Sequence, residues 1–508
     1  MANKNTKPNI LFITSDQQRG DCYGFRGRKV YTPHLDLLAS EGTSLETVIT
    51  PCVVCQPSRA SILTGLLPRT HGVHDNGIDL DPAIGEKGFA GSLSAAGYRT
   101  AKLGKAHFAT YHTFEDTGTP ESITGSENFA ADWRGPYMGF DHAELVVLGH
   151  NWWLPEKPPR GLAYENWYYS DGRGEMKNKL LWESTRDHHG APQVWSSKLP
   201  VAWHNSTWLG DRAIDFIKSE GHQPFCLWVS FPDPHHPFDA PEPWASLHRP
   251  EEVDIPEHRT RDVENRPWWH KAALESDIPG EHKSLREKYS RMPQVSDEHL
   301  KEIIANYYGQ LSLIDHNVGR ILAALDEQGL SDNTYVVYSS DHGDWLGDHG
   351  LVLKGPMHYE GLLNVGAIVK GPDVPQGKVS HEPLSTLDLN ATFLDWAGAQ
   401  SLMPNHSRSM RDVISGDGTR DFALNEWELL PGRVGVGLSL RTVRSKTAKL
   451  TLEMVSGAGE MYDLEKDPTE MTNVFDDPAY AALRKQLTEM LDMRPDDVKP
   501  NGRQVGMA

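Results

Sequence analysis

Positive charge is what this chain has too little of. Its 50 lysines and arginines face 70 aspartates and glutamates, for a net charge of −20. That balance excludes nucleic acid or an anionic membrane as the main partner. An anionic substrate must therefore be drawn in by a local cationic site against the global field. Cysteine is scarce as well: Cys22, Cys52, Cys55 and Cys226 are the only four. They are too few for a disulfide framework, and Cys52-Val53-Val54-Cys55 has no second Cys-x-x-Cys to complete a four-sulfur zinc site. No apolar run reaches the about 18 residues of a membrane span, and no apolar leader with a cleavage site opens the chain. A cytoplasmic protein with no membrane partner is the expectation. Internal repeats and low-complexity tracts are missing too. What remains is 38% hydrophobic and 24% charged over 508 residues, the balance of a globular enzyme with one large unit and a smaller one.

The most informative stretch is Thr50-Pro51-Cys52-Val53-Val54-Cys55-Gln56-Pro57-Ser58-Arg59, continued by Ala60-Ser61-Ile62-Leu63-Thr64-Gly65. Pro57 fits the first position of a helix, and Gly65 fits its end. Cys55 then lies at a helix N-terminus, where free N–H groups and the positive dipole end favour negative charge. Arg59 lies about one turn on and can face the same spot. Two plainer readings stand beside this one: a buried thiol at a helix start, or a Cys52/Cys55 redox or zinc pair.

The rest of the chain alternates strands and helices. Asn9 to Asp16 reads as a buried parallel strand, with Asp16 and Gln17 at its C-terminal end. Asp16 equally suits a turn-stabilising role. Thr32 to Gly42 reads as a helix capped by Thr32 with Pro33 in its first turn. Arg69 to Gly77 is a turn-rich loop holding Asn76. Arg99 to Gly104 reads as a strand delivering Lys105 and His107, two apart and so pointing the same way if extended. Pro224 to Phe231 is an apolar strand leading to His235 and His236, which chemistry alone leaves open as alternatives. Glu298 to Gln328 carries a long helical stripe. Asn333 to Ser340 is a further buried strand, ending in Asp341 and His342. Leu384 to Gly398 reads as a helix, followed by short alternating strands about 421–427, 434–444 and 449–455 and a helix from Pro478 to Leu491. Residues 110–205 are aromatic-rich and irregular; they read as an insertion that walls a pocket, with Trp152 and Trp167 in it, or as a contact in a homo-oligomer. Residues 239–296 read as a surface excursion.

The fold class that follows is α/β: a large, mixed, mostly parallel sheet sandwiched by helices over residues 1–400, and a smaller antiparallel C-terminal subdomain over 401–508. Polar groups at Asp16/Gln17, Lys105/His107, His235 and Asp341/His342 follow strands, so a parallel sheet brings them to one edge beside Cys55 and Arg59.

Cys55-Gln56-Pro57-Ser58-Arg59 with its Leu-Thr-Gly continuation resembles the signature of type I sulfatases, in the alkaline phosphatase superfamily. Ser340-Asp341-His342-Gly343, Lys354 and the Pro234-His235-His236-Pro237 segment resemble further motifs of that family, and the resemblance runs through nearly the whole chain. It implies hydrolysis of aryl or alkyl sulfate monoesters, small-molecule substrates, by a nucleophile made when a maturation enzyme oxidises Cys55 to formylglycine. It implies a divalent metal held by Asp16, Gln17, Asp341, His342 and residue 55: Ca²⁺ first, Mn²⁺ or Mg²⁺ as alternatives, which suits these oxygen-rich donors. It assigns Arg59, Lys105 and Lys354 to charge stabilisation, His235 (not His236) to protonating the leaving group, His107 to expelling sulfate, and Asn76 to substrate contact. Phosphonate monoester hydrolases of the superfamily tend to carry Tyr and Thr where this chain has Lys105 and His107, which favours sulfate; hydrolysis of phosphonate monoesters or phosphodiesters is the alternative. Where the family has an arginine, this chain has Asn364, which removes a local salt bridge. A binding protein whose cysteine is never converted is the competitor from another class.

Overall fold

The computed structural model describes residues 7–147, 162–219, 224–280 and 283–507. Trp152 and Trp153 lie outside them. The main sheet joins β1 (Asn9–Ser15), β2 (Thr43–Leu45), β4 (Arg99–Gly104), β5 (His142–Leu145), β6 (Phe225–Ser230), β7 (Thr334–Ser340), β8 (Ala367–Lys370) and β9 (Lys378–Ser380) in the order β5-β4-β6-β1-β7-β8-β2-β9. Strands β5, β4, β6, β1 and β7 are parallel; β8 runs antiparallel to both β7 and β2. A two-stranded parallel pair, β3 (Val48–Ile49) with β10 (Leu384–Ser385), lies beside it. A second sheet is an antiparallel meander of β11 (Phe422–Leu429), β12 (Leu438–Ser445), β13 (Ala448–Glu453) and β14 (Gly459–Asp463).

The near-continuous apolar runs of β1, β6 and β7 are explained by two packed faces. Leu11, Ile13, Leu227, Val229, Val336 and Tyr338 join one core cluster, with the long helix Asp297–Glu327 and the helix Asn205–Ser219. Ile10, Phe12, Cys226, Trp228, Tyr335 and Val337 join the other, with the Cys55 helix and the helices Phe89–Ala95 and Leu389–Ala397. Each fully buried aliphatic or aromatic side chain contributes about 1.5–3 kcal/mol. Among the described residues no helix is long and apolar enough to cross a membrane.

Several elements differ from the sequence expectation. The helix expected from Leu384 begins as strand β10 and a 3-10 turn, and the α-helix proper is Leu389–Ala397. Thr32 makes no side-chain cap to its helix; its hydroxyl accepts from Gly24 N (2.9 Å) and donates to Asp36 (3.0 Å). Residues 431–434 form a helical turn, so β12 starts at Leu438. The 110–205 region supplies β5, an edge strand of the main sheet, and Trp167 packs on Tyr164 (5.8 Å) against the core. The 239–296 excursion buries Trp269 completely. Asn364 bonds to backbone, accepting from Val48 N and Gly366 N and donating to Glu46 O.

The second sheet braces the first. Asn425 donates to Thr50 O (2.8 Å) and Glu426 N donates to Pro51 O (2.8 Å), which fixes the approach to Cys55. Lys449 donates to His358 O (2.5 Å), and Arg444 pairs with Glu360 (3.0 Å), just after Lys354.

Gly104 ends β4 with φ +93°, and a Cβ there would overlap the Ser230 carbonyl oxygen. Gly104→Ala is expected to lower stability by about 1–3 kcal/mol in urea unfolding. Gly97→Ala, also at positive φ but with open space around it, should cost less; equal losses at both positions would show that the close approach of β4 to β6 does not matter.

Candidate active site

Four neighbouring parallel strands release their chains at the same edge. β1 gives Asp16 and Gln17, β4 gives Lys105 and His107, β6 leads to His235, and β7 gives Asp341 and His342. Above that edge stands the helix Cys55–Thr64, buried throughout, with Gly65 left-handed at its end (φ 69°). Cys55 is its first residue and Pro57 its third, so the proline lies two places later than the sequence implied.

Arg59 lies under the site and is completely buried. It donates from Nε to Asp341 Oδ2 (2.7 Å) and from Nη2 to Asp16 Oδ2 (3.1 Å). Its Nη1 donates to Lys105 O (2.9 Å) and Ser230 Oγ (2.8 Å). The guanidinium thus clamps the two carboxylates, and its bonds point at them rather than outward over a substrate.

Cys55 Sγ sits at the focus. Lys354 Nζ lies 3.1 Å away, His342 Nε2 3.1 Å, Asp16 Oδ1 3.7 Å and Lys105 Nζ 3.8 Å. Burial alone would raise its pKa, but Lys105, Lys354 and His342 hold the thiol well below the usual range. Asp16 is held below the usual carboxylate range in the same way: burial and Cys55 push it up, and Lys105 (2.5 Å) and Arg59 outweigh them. Cys52 points elsewhere, into a core with Trp269, Trp345 and Trp427, and all four cysteines are free. A Cys52/Cys55 redox or zinc pair is not built.

Asp16, Cys55, Asp341 and His342 each offer a ligand atom, and these atoms all lie within 4.8 Å of one another. His342 Nδ1 donates to Gly343 O (2.9 Å), which leaves Nε2 facing the carboxylates of Asp16 and Asp341. Gln17, at φ 69°, gives Nε2 to Asp344 (2.6 Å), and its buried Oε1 has no hydrogen-bond partner among the described residues. An orphaned amide oxygen beside two carboxylates and an imidazole fits a hard divalent cation.

His235 and His236 stack at 4.1 Å but face different groups. His235 Nδ1 donates to the His236 carbonyl (2.6 Å) and its Nε2 meets Lys354 Nζ (3.1 Å). His236 Nδ1 faces Gln17 Nε2 (3.3 Å). Burial, reinforced by Lys354, lowers the His235 pKa to about 4. Burial likewise lowers His107 to about 4, with Lys105 adding to the effect and Cys55 opposing it. His107 does not lie on an extended segment. Its backbone is left-handed (φ 54°), and this turn, not the alternation of a strand, brings it round beside Cys55. Asn76 Oδ1 accepts from Gln56 N (3.0 Å), so the amide caps the helix start next to Cys55.

Sequence reasoning missed several residues here. Gln56 ties its helix to two loops, donating to Ile78 O and Thr110 Oγ1 and accepting from Gly77 N. Asp344 receives the Gln17 amide, and burial raises its pKa to about 6. Ser230 supports Arg59. The positions of Asp344 and Ser230 directly beyond or at a strand end are the signal that points to them.

Arg59→Ala takes the guanidinium from two buried carboxylates, leaving Asp16 with Lys105 alone, and is expected to cost about 3–5 kcal/mol. Thermal melting of purified variants reads this directly. Arg59→Lys should recover only part of the loss, because a point charge cannot bridge both aspartates; full recovery would show that charge alone suffices.

The comparisons with known proteins agree among themselves. Residues 8–399 match the family model described as Sulfatase, and residues 347–496 match that described as N-sulphoglucosamine sulphohydrolase, C-terminal. An arylsulfatase of Clostridium perfringens is 30% identical over 521 residues, covering 96% of this chain and 95% of its own. The multifunctional alkaline phosphatase superfamily protein PehA of Trinickia caryophylli is 27% identical over 504 residues, covering 94% and 93%. The crystal structure of a phosphonate monoester hydrolase of Agrobacterium radiobacter is similar at a TM-score of 0.77 and 25% identity, covering 96% of this chain and 95% of that one.

Proposed function

Because this chain belongs to the sulfatase family and is a hydrolase of sulfuric esters, we propose that it cleaves aryl or alkyl sulfate monoesters with a nucleophile made from Cys55. The observation that carries the reading is the setting of Cys55 Sγ. It lies within 3.1–3.8 Å of two lysines, a histidine and an aspartate at a helix N-terminus.

A separate maturation enzyme with an external oxidant would convert the side chain to formylglycine, removing sulfur and two hydrogens and adding one carbonyl oxygen. Hydrated, the aldehyde supplies two hydroxyls on one carbon, one to attack sulfur in line and one whose deprotonation expels sulfate. Asp16, Gln17, Asp341 and His342, with residue 55, would hold one divalent cation. Ca²⁺ is the first choice, and Mn²⁺ or Mg²⁺ fit the same donors. When bound, the cation supplies Lewis-acid polarisation and a lowered pKa for the attacking hydroxyl.

The chain's own residues do the rest. Lys105 and Lys354 bring positive charge to the sulfate oxygens, while Arg59 holds both aspartates in place. Asn76, whose carbonyl oxygen is taken by Gln56 N, keeps its amide N–H groups for the substrate. Lys354 and His235 deliver one proton to the leaving oxygen. His235 is neutral at pH 7, since burial and Lys354 lower its pKa to about 4, so that proton comes from the lysine ammonium. His107 is neutral too, since burial and Lys105 lower its pKa to about 4, and its imidazole meets the side chain of residue 55. It takes the proton from the second hydroxyl, and sulfate leaves.

Cys55→Ala is expected to fold and to lose turnover. Mass spectrometry of active protein should find the Cys55 peptide about 18 Da lighter than encoded; an intact thiol in fully active enzyme overturns the formylglycine step. Dialysis against a chelator should abolish turnover and Ca²⁺ or Mn²⁺ should restore it. The likeness to PehA and to a phosphonate monoester hydrolase supports a second reading, cleavage of phosphonate monoesters or phosphodiesters at the same site. The ratio of kcat/KM for 4-nitrophenyl sulfate and 4-nitrophenyl phenylphosphonate decides between them: sulfate is expected to lead, and a leading phosphonate reverses the assignment.

A further inference from the structure

We propose that Glu121 is a positioning residue for His107, setting the orientation of the base that expels sulfate. The inference rests on the part given to His107 above. Glu121 is 2% exposed and lies in the aromatic-rich region between β4 and β5. Its Oε2 accepts from His107 N. Its Oε1 accepts from Phe108 N (2.9 Å), Ala109 N (3.0 Å) and the Tyr137 hydroxyl (2.7 Å). One carboxylate therefore gathers three successive backbone N–H groups, and no cationic side chain pairs with it among the described residues.

The turn it holds is the one that needs holding. His107 has φ 54°, a left-handed conformation that a residue with a Cβ keeps only where its surroundings impose it. Among the described residues the His107 imidazole meets the Cys55 side chain, the group it serves, and is otherwise aimed by its own backbone and by the Tyr111 ring at 4.8 Å. With no other side-chain bond to hold it, such a base is misdirected by any relaxation of the peptide that carries it. A carboxylate suits this task because both oxygens accept, so three converging N–H groups are satisfied together. An amide in the same place turns one of those oxygens into an N–H₂ that meets an N–H head on.

The prediction separates positioning from mere support. Glu121→Gln should slow the step His107 serves and spare the one before it. With aldehyde-bearing, metal-replete enzyme and 4-nitrophenyl sulfate, we expect kcat to fall about 10–100-fold while kcat/KM stays unchanged. A burst of about one phenol per site should precede the slow turnover. A fall in kcat/KM as large as that in kcat, or no change in either, overturns the inference. His107→Ala is the reference: it should show the same burst. If it does not, the assignment of His107 fails and takes this inference with it; if it does and Glu121→Gln does not, only the role of Glu121 fails. A second readout needs no turnover. In unconverted protein, amide hydrogen exchange at 107–109 should quicken in Glu121→Gln and stay unchanged in Asn76→Ala; unchanged exchange in Glu121→Gln also overturns it. Should Glu121→Gln fail to fold, Tyr137→Phe removes one bond to the same carboxylate. It should give a smaller fall in kcat at constant kcat/KM, and an unaltered kcat there counts against the proposal.

Discussion

One buried guanidinium between two buried carboxylates sets the terms for the whole site. Asp16 and Asp341 end adjacent parallel strands, and neither is more than 1% exposed. Two carboxylates removed from water repel one another and forfeit their hydration. Arg59 answers both at once from a third element, the helix above the sheet edge, and is fixed in turn by Lys105 O and Ser230. The strand order β6-β1-β7 is what makes this possible, since it sets Ser230, Asp16 and Asp341 side by side. Topology and electrostatics are here a single constraint.

Around that centre, polar groups are buried only where another element answers them. The His342 imidazole is fixed by a neighbouring carbonyl, and His235 by the carbonyl of the residue after it. The segments before Cys55 and after Lys354 are both held by the C-terminal sheet, through Asn425, Glu426, Arg444 and Lys449. The smaller sheet thus positions the ends of two loops that meet at one sulfur atom. The last residues do similar work: Lys499, Gly502 and Val505 bond to Arg69, Gly72 and Gly77, the loop that contains Asn76.

Much of this was legible in the sequence, because parallel strands buried on both faces write themselves as unbroken apolar runs. Asn9 to Ser15, Phe225 to Ser230 and Thr334 to Ser340 were readable for that reason, and the polar residue after each run marks the ligand edge. The aim of individual side chains was not legible. Arg59 turns toward two carboxylates because of where β1 and β7 end, 43 and 282 residues away in the chain. His107 reaches the centre through a left-handed turn, which alternation along a strand does not reveal. His235 and His236 differ in the partners their ring nitrogens meet, not in any local pattern. Strand β5 is only four residues long and needs β4 beside it before it is a strand at all.

The burial of Cys55 bears on timing. Its side chain is 1% exposed and its helix is enclosed on every side, so the finished protein offers another enzyme no access to the sulfur. His342, which closes over it, is encoded 287 residues further on. Any chemistry performed on residue 55 by an outside catalyst therefore has to come before β7 docks and brings His342 against it.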